Sequence, residues 1–422
     1  MLKTVRRAYW SRSRQFQSWY DALLGADPAF RRVVLEDHLG RRGAVRLVAG
    51  ETAPRAALAA EWLLRAQDAT PDCGVSYGYF PLGQAGGWQP SYPETTGYIM
   101  TSLLAYARRA RRPELVDRVV RMAQWEAAVQ MLSGAVQGGK LTSADRQEAA
   151  AFNTGMVLDG FVSLLECRAN ATIAEAAARA AAFLVADLDE AGLFTTNGPF
   201  VSPGSIKLYN VLCAWALSRY GTLSGEQAYH AAALRVADGA LRFQADNGWF
   251  AENCLTDPAR PLTHTIGYTL QGLLEVAALT GRDDILAAAE RGFAPLMPTI
   301  EANGYLAGRF DATWRPSVSW SCLTGSAQLA IVGYRLTALG RSERYAAAAD
   351  RLLGFLKGLQ RRETGNADID GALAGSYPIF GGYMAGGYPN WATKYLLDAL
   401  MLEAERTGVD LASAPAGRRE PA

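Results

Sequence analysis

Histidine, cysteine and net charge are all scarce in this sequence. Its 422 residues include three histidines and five cysteines, and 42 lysines and arginines nearly cancel 41 aspartates and glutamates. A balance so close to neutral argues against a general nucleic-acid binder. Cys73, Cys167, Cys213, Cys254 and Cys322 are odd in number, widely spread and form no Cys-x-x-Cys pair. That spacing argues against a disulfide framework and against a zinc site. No phosphate-binding glycine motif and no metal-ligand cluster stands out, so neither metal nor cofactor is expected. No apolar run reaches the roughly 18 residues that a membrane-spanning helix needs. The N-terminal stretch MLKTVRRAYWSRSRQF is basic but lacks the apolar centre of a signal peptide. Cytoplasm is the default location.

What is present is hydrophobic residue, at 50% of the chain, in a repeating arrangement. Apolar helix-like segments open at YPETTGYIM (from Tyr92), FNTGMVLDG (Phe152), GSIKLYNVL (Gly204), LTHTIGYTL (Leu262), WSCLTGSAQ (Trp320) and YPNWATKYL (Tyr388). Four contain Thr-Gly or Thr-x-Gly, and Gly97, Gly155, Gly267 and Gly325 are 58, 112 and 58 residues apart, so the middle step is two periods. Between them lie six alanine-rich amphipathic segments, 54–66, 114–131, 173–188, 227–243, 284–296 and 342–359, patterned for burial on one face. Twelve helices alternating outer and inner read as an all-α protein, an (α/α)6 toroid of six helical hairpins over residues 51–408. Residues 1–50 carry ten Lys and Arg against four acids. They read first as a helical extension packed outside the toroid, with peripheral contact to a membrane surface or assembly partner as the alternative. Residues 409–422 read as a disordered tail.

Links from outer to inner helices are long and glycine-rich, whereas the return links are short. Long loops therefore gather at one rim, with hairpin signals at Asn247-Gly248 and Asn303-Gly304, and function is expected there. Aromatics crowd this rim: Trp88, Trp249, Trp314, Trp320 and Trp391, with Tyr77, Tyr79, Tyr92, Tyr377, Tyr383 and Tyr388. Their flat faces suit sugar rings, although packing of the loops explains some of them. Acids (Glu94, Asp145, Glu148, Glu252, Asp257, Asp311, Asp368, Asp370) and bases (Lys140, Lys207, Arg260, Arg309, Arg315, Lys394) share the rim. Glu94 sits where a loop becomes the first inner helix, a place that also suits an acid for dipole reasons alone. His264 is the one histidine on the rim; a lone histidine is more often structural. Asp311 lies between Arg309 and Arg315, so simple ion pairing competes with catalysis. Asp368 and Asp370 read as turn residues.

YPETTGYI, AFNTG, LTHTIGYTLQGLLE, CLTGSAQLAI, and GSYPIFGGY followed by YPNWATKYLLDAL resemble bacterial and archaeal polysaccharide biosynthesis proteins encoded in exopolysaccharide gene clusters. Those proteins belong with the six-hairpin toroids, which include unsaturated-uronide hydrolases, polysaccharide lyases and the helical domain of glucuronyl C5-epimerases. The resemblance spans about residues 54–405 and implies processing of a surface glycan, without transferring a catalytic residue. The expected ligand is an oligo- or polysaccharide. The first expectation is a glycoside hydrolase with Glu94 as general acid and Asp311 as its carboxylate partner. The alternative is a uronate C5-epimerase or lyase, with Tyr92, His264 or Tyr268 moving the proton and Arg309, Arg315 or Lys394 holding the sugar carboxylate. A third reading is a non-catalytic glycan-binding or assembly protein, and a terpenoid cyclase is a distant fourth. Position also marks Asn153, Tyr377, Tyr388 and Asn390 as substrate-binding candidates, beside Trp88, Trp249, Trp314 and Trp320.

Overall fold

In a computed structural model the structure describes residues 20, 23–39, 45–82, 86–199, 205–414. Most of the basic extension, including residues 1–19, and the tail from 415 lie outside the described residues. Helix α1 (Pro28–Leu39) precedes the repeating unit. Six outer helices follow: α2 (Thr52–Asp68), α4 (Leu115–Val129), α6 (Ala171–Ala186), α8 (Gln227–Leu241), α10 (Asp283–Phe293) and α12 (Arg344–Leu359). They alternate with six inner ones: α3 (Pro93–Arg109), α5 (Ala151–Leu165), α7 (Leu212–Ser224), α9 (Thr263–Thr280), α11 (Leu323–Ala338) and α13 (Asn390–Thr407). This is the (α/α)6 toroid expected from the repeat. Val409 to Ala414, the start of the expected tail, hold a 3-10 turn at Leu411–Ser413 with Leu411 buried. No helix among the described residues is long and apolar enough to cross a membrane.

The two helix classes follow from residue spacing. In α10 the buried residues are Ile285, Ala288, Ala289, Gly292 and Phe293, a single stripe at helical period. In α6 they are Ile173, Ala176, Ala177, Ala180, Ala181 and Leu184, and the Asn170 side chain caps the helix by accepting from the Ile173 N–H. By contrast, every residue of α5 from Ala151 to Leu164 is buried. Each inner helix packs on the next, and α13 returns to α3, so the ring closes. The first outer helix, α2, packs on the last inner one, α13. Lys357 of α12 secures that seam: its buried Nζ lies 2.5 Å from Glu403 Oε2 and 2.7 Å from the Gly50 carbonyl.

The Thr-Gly pairs have a physical reason. A Cβ on Gly97 would lie 2.7 Å from the Met156 carbonyl oxygen and from Val157 Cα, so α3 and α5 touch backbone to backbone. A Cβ on Gly155 would strike the Cys213 side chain, and one on Gly325 the Thr263 hydroxyl and the backbone at His264. The threonines tie in the long loops: Thr96 Oγ1 accepts from the Val75 N–H and Thr154 Oγ1 accepts from the Val136 N–H, each at 2.9 Å. A second repeat sits in the loops themselves. Gly248 (φ +84°) turns the chain so tightly under the next outer helix that a Cβ would lie 2.1 Å from the Arg291 carbonyl oxygen. Gly192 and Gly304 make the same contact with Arg235 and Arg351.

Short strands stitch the loops at the rim where the inner helices begin. β1 (Gly78–Phe80) lies between β2 (Gly87–Trp88) and β5 (Tyr388–Pro389), antiparallel to both, and β3 (Ser321–Cys322) pairs antiparallel with β4 (Ser376–Tyr377). Pairing of β1 with β5 joins the first long loop to the last and closes the rim as the helices close below it. Asn247-Gly248 and Asn303-Gly304 form tight turns, with a single bridge, Gln244 to Phe250, beside the first.

If backbone contact sets the toroid, Gly97→Ala costs about 1–3 kcal/mol through overpacking. Gly25→Ala, where nothing lies within 4 Å of the added Cβ, costs little. Urea unfolding of both variants checks the contrast, and equal losses would contradict it.

Candidate functional site

At the loop-bearing rim, the starts of five inner helices and the loops above them enclose a cavity of about 550 Å³. It is lined by Tyr77, Tyr92, Glu94, Lys140, Phe152, Asn153, Asn197, Tyr209, Asn210, His264, Tyr268, Tyr383 and Trp391, among others. A second opening of about 670 Å³ lies at the opposite rim, between the C-terminal ends of α3, α5 and α7. There the guanidinium of Arg219 is already held by Asp159 and Glu166, and no comparable set of proton-handling groups converges.

Glu94 occupies the first turn of α3, after Pro93. Its carboxyl is half-buried in the cavity wall and has no hydrogen bond or ion pair among the described residues. Two effects oppose each other here. The helix N-terminus favours the anion, while removal from water favours the neutral acid. Burial wins, and pushes the carboxyl up to about 8. Among the described residues it is the sole carboxyl lining the cavity. The surrounding phenols are protonated as well: burial, with the field of Glu94 added, raises Tyr77 to about 12 and lifts Tyr92, Tyr209, Tyr268 and Tyr383 above their ordinary value.

The aromatic walls are braced against one another. Tyr77 stacks on Phe80 at 5.7 Å and stands edge-on to Trp391 at 4.9 Å between ring centroids. Trp391 Nε1 donates to the Tyr383 hydroxyl at 3.0 Å. Opposite them, Phe152 packs edge-on against Tyr209 and Tyr268, at 5.2 and 4.8 Å. Three amides punctuate this surface. Asn153 Nδ2 donates to the Gln137 carbonyl, Asn210 Nδ2 donates to Asn197 Oδ1, and Asn197 Nδ2 donates to the Ser205 carbonyl. Asn153 and Asn210 thereby keep their side-chain oxygens available to a ligand hydroxyl.

His264 lies at the start of α9 with Nδ1 2.7 Å from Gln328 Oε1. Burial, opposed by this hydrogen bond, lowers the imidazole to about 4, so the ring is neutral at physiological pH. Lys140 is exposed at the edge of the cavity. Its Nζ is 3.5 Å from Gln89 Oε1 and 5.6 Å from the Tyr77 ring centroid. No ion pair among the described residues neutralises it. Among the described residues no group of three His, Cys, Asp or Glu could hold a metal ion.

Of the residues singled out from sequence, Glu94, Tyr92, His264, Asn153 and Tyr268 come together here, with the rim residues Tyr77, Lys140, Tyr383 and Trp391. Asp311 does not. Its Oδ1 accepts from the Thr313 hydroxyl at 2.7 Å, the Thr313 N–H at 2.9 Å and the Arg315 N–H at 3.0 Å. Those bonds, Thr313 foremost, lower its carboxyl and spend it on its own turn outside the cavity. The expected Glu94–Asp311 pair is therefore not assembled. Trp249 and Trp314 pack edge-on against each other at 5.2 Å, and Trp314 Nε1 donates to the Asn247 carbonyl. Trp88 donates to Asp368 Oδ1 and packs on Trp62. Trp320 fills the space above Gly308 and Gly382. Arg309 donates to the Arg260 carbonyl. Tyr377 is buried edge-on to Phe355, and Tyr388 is buried within β5. Asn390 Nδ2 ties Ser76 O to Thr95 Oγ1. Lys394 is buried beneath the cavity, 2.8 Å from Asp398 Oδ2 and 3.9 Å from the Tyr395 ring centroid. All of these brace the rim or the barrel interior without lining the cavity.

Tyr209 and Asn210 did not stand out from the sequence, yet the repeat held the signal. Phe152-Asn153 and Tyr209-Asn210 are aromatic-Asn pairs at equivalent starts of successive inner helices.

No known protein-family pattern matches the sequence, and no curated protein sequence matches it. Solved structures do match the fold. An unsaturated glucuronyl hydrolase specific for heparin aligns with a TM-score of 0.68 and 14% identity over 86% of this chain and 99% of its own. The unsaturated glucuronyl hydrolase of Bacillus sp. GL1 aligns at 0.65 and 18% over 87% and 100%. An alpha-amylase from Clostridium perfringens aligns at 0.59 and 8% over 84% and 99%. This chain shares with them the six-hairpin toroid.

The charge state of Glu94 has a consequence for stability. Its folded value, about 8, exceeds the roughly 4.3 of an unfolded glutamate, so the folded state retains a proton that the unfolded state releases. Stability therefore falls as pH rises through that window. Glu94→Gln has no proton to lose. The melting temperature of Glu94→Gln minus that of wild type should grow from pH 5 to pH 8 and level off above. A difference independent of pH would contradict burial of the acid.

Proposed function

We propose that the protein is a carbohydrate-processing hydrolase that takes the acidic end of an oligosaccharide into the 550 Å³ cavity, with Glu94 as proton donor. The observation that carries this reading is the isolation of Glu94, one carboxyl with no hydrogen bond or ion pair among the described residues, in an aromatic pocket with the Lys140 ammonium at its edge. Ordinary glycoside hydrolysis uses two carboxylates, and the cavity offers one. An unsaturated uronide is an enol ether, and an enol ether is opened by a single acid. A proton passes from Glu94 to C4, water adds at C5, and His264 Nε2 takes the proton that the water sheds. The resulting hemiketal opens at the bond from C5 to the ring oxygen, leaving a ketone at C5 and a hemiacetal at C1. Collapse of that hemiacetal to the aldehyde releases the remainder of the chain as an alcohol, and the proton on His264 returns to Glu94. The likeness to unsaturated glucuronyl hydrolases supports this substrate class. Lys140 supports an anionic sugar, and the resemblance to exopolysaccharide-cluster proteins supports a surface polysaccharide as its source.

Proton abstraction by Tyr92 or Tyr268, one form of the epimerase or lyase reading beside abstraction by His264, has less support. It needs a phenolate or a phenol of lowered pKa, and burial together with Glu94 pushes these phenols the other way.

The test is incubation with unsaturated uronyl disaccharides and with saturated acidic oligosaccharides in heavy water. Loss of the enol-ether absorbance with deuterium at C4 is expected, and Glu94→Gln should lower kcat by about 10²–10⁴-fold. Deuterium at C5 of a saturated uronide without cleavage would overturn hydrolysis in favour of epimerisation. Turnover needs Glu94 protonated and His264 neutral, so kcat/KM should hold a plateau between about pH 4 and about pH 8 and fall on both sides. Lys140→Ala should raise KM for the acidic substrate about tenfold with little change in kcat, the pattern of a lost uniform binding contact. An unchanged KM would remove Lys140 from substrate recognition.

A further inference from the structure

The His264 ring is enclosed by Tyr268 at 4.4 Å, Tyr383 at 5.4 Å and Tyr395 at 6.5 Å between centroids. Its hydrogen-bond partner comes from a different helix. Gln328, fully buried on α11, places Oε1 2.7 Å from Nδ1. It reaches there because Gly267, one turn along α9, has no side chain: a Cβ on Gly267 would lie 2.7 Å from Gln328 Cβ and 3.0 Å from Oε1. The other end of the same amide is unsatisfied, since buried Nε2 has no hydrogen-bond partner. Leaving a buried donor unpaired is destabilising, a cost that an apolar side chain of similar size would avoid. A polar group kept under those conditions calls for an explanation.

The contact distinguishes the two ring nitrogens. An amide oxygen only accepts, so the proton of the neutral imidazole resides on Nδ1 and the lone pair on Nε2. We infer that Gln328 is a positioning residue: its amide oxygen fixes the His264 proton on Nδ1 and so turns the Nε2 lone pair to the cavity, where the water-derived proton must be taken up. This rests on the proposed role of His264 as base. The choice of amide over carboxylate matters. A glutamate at this place would draw a second proton onto the ring and occupy the lone pair. Among the described residues no other anion faces the imidazole to do the same. Burial keeps the phenols of Tyr268, Tyr383 and Tyr395 and the thiol of Cys322 protonated, Glu94 across the cavity is a neutral acid, and the cation Lys394 lies beyond the Tyr395 ring.

The chain has three histidines, so 15N-imidazole NMR of the full-length protein resolves His264 by comparison with a His264→Gln control. Wild type should show the neutral Nδ1–H form from pH 8 down to about pH 5. Gln328→Glu should raise the His264 titration by about 1–3 pH units and move the acid limb of kcat/KM upward with it. Gln328→Leu should lose the fixed tautomer and lower kcat on the order of 10²-fold at little cost in KM. An Nε2–H tautomer in wild type, which needs no variant to fold, would overturn the inference. So would a Gln328→Glu imidazole whose titration does not move, or one that moves while the acid limb of turnover stays. Absence of turnover on every uronide would instead count against the proposed function, with the tautomer decided by NMR alone.

Discussion

At Gly97 the backbone of α3 approaches α5 so closely that one methyl group would strike the Met156 carbonyl. The same approach recurs at Gly155 against α7 and at Gly325 against α9. These approaches bring the opening turns of neighbouring inner helices together, and Thr96 and Thr154, each just before its glycine, tie the incoming loop to the helix it feeds. This close approach aims the helix starts at a common centre. It places Glu94, Asn153, Asn210 and His264, each on or beside a different inner helix, around one cavity. The residues that build the ring and those that furnish the site are therefore neighbours in sequence: Glu94 stands three positions before Gly97, Asn153 two before Gly155, and His264 three before Gly267.

The chemistry of the cavity follows from what surrounds the acid. A carboxyl at a helix N-terminus is ordinarily an anion. Here the tyrosines and tryptophan that crowd half-buried Glu94 displace much of its water and supply no charge to replace it, and desolvation outweighs the helix dipole. The same walls keep the phenols protonated and His264 neutral. The result is a pocket with one proton to give, one lone pair to receive, amide oxygens suited to sugar hydroxyls, and Lys140 as the charge at its edge. Pairs of titrating groups pushed apart by environment assign acid and base roles. In this pocket both shifts have the same origin, burial.

The fold was legible because its signals are periodic. Apolar stripes at helical spacing, Thr-Gly at a fixed interval and long loops after alternate helices all indicate one ring. Glu94, Tyr92, His264, Asn153 and Tyr268 were legible for a related reason, since each lies at the start of an inner helix. Trp88, Trp249, Trp314 and Trp320 were not, because an indole on a rim loop carries no mark in sequence that separates a sugar platform from a brace; Trp249 and Trp314 satisfy each other. Asp311 misled because its arginine neighbours drew attention from Thr313, two residues on, whose hydroxyl and N–H claim the carboxylate. Gln328 was invisible for a simpler reason: nothing in a sequence places a glutamine of one helix on the histidine of another.

The account depends on Glu94 holding its proton at neutral pH. Infrared difference spectroscopy of wild type minus Glu94→Gln reads that proton directly. It should show the carbonyl band of a protonated carboxylic acid at pH 7, giving way to carboxylate bands as pH passes about 8. Carboxylate bands already complete at pH 6 would mean an ordinary ionised glutamate, and would leave the cavity without its proton donor.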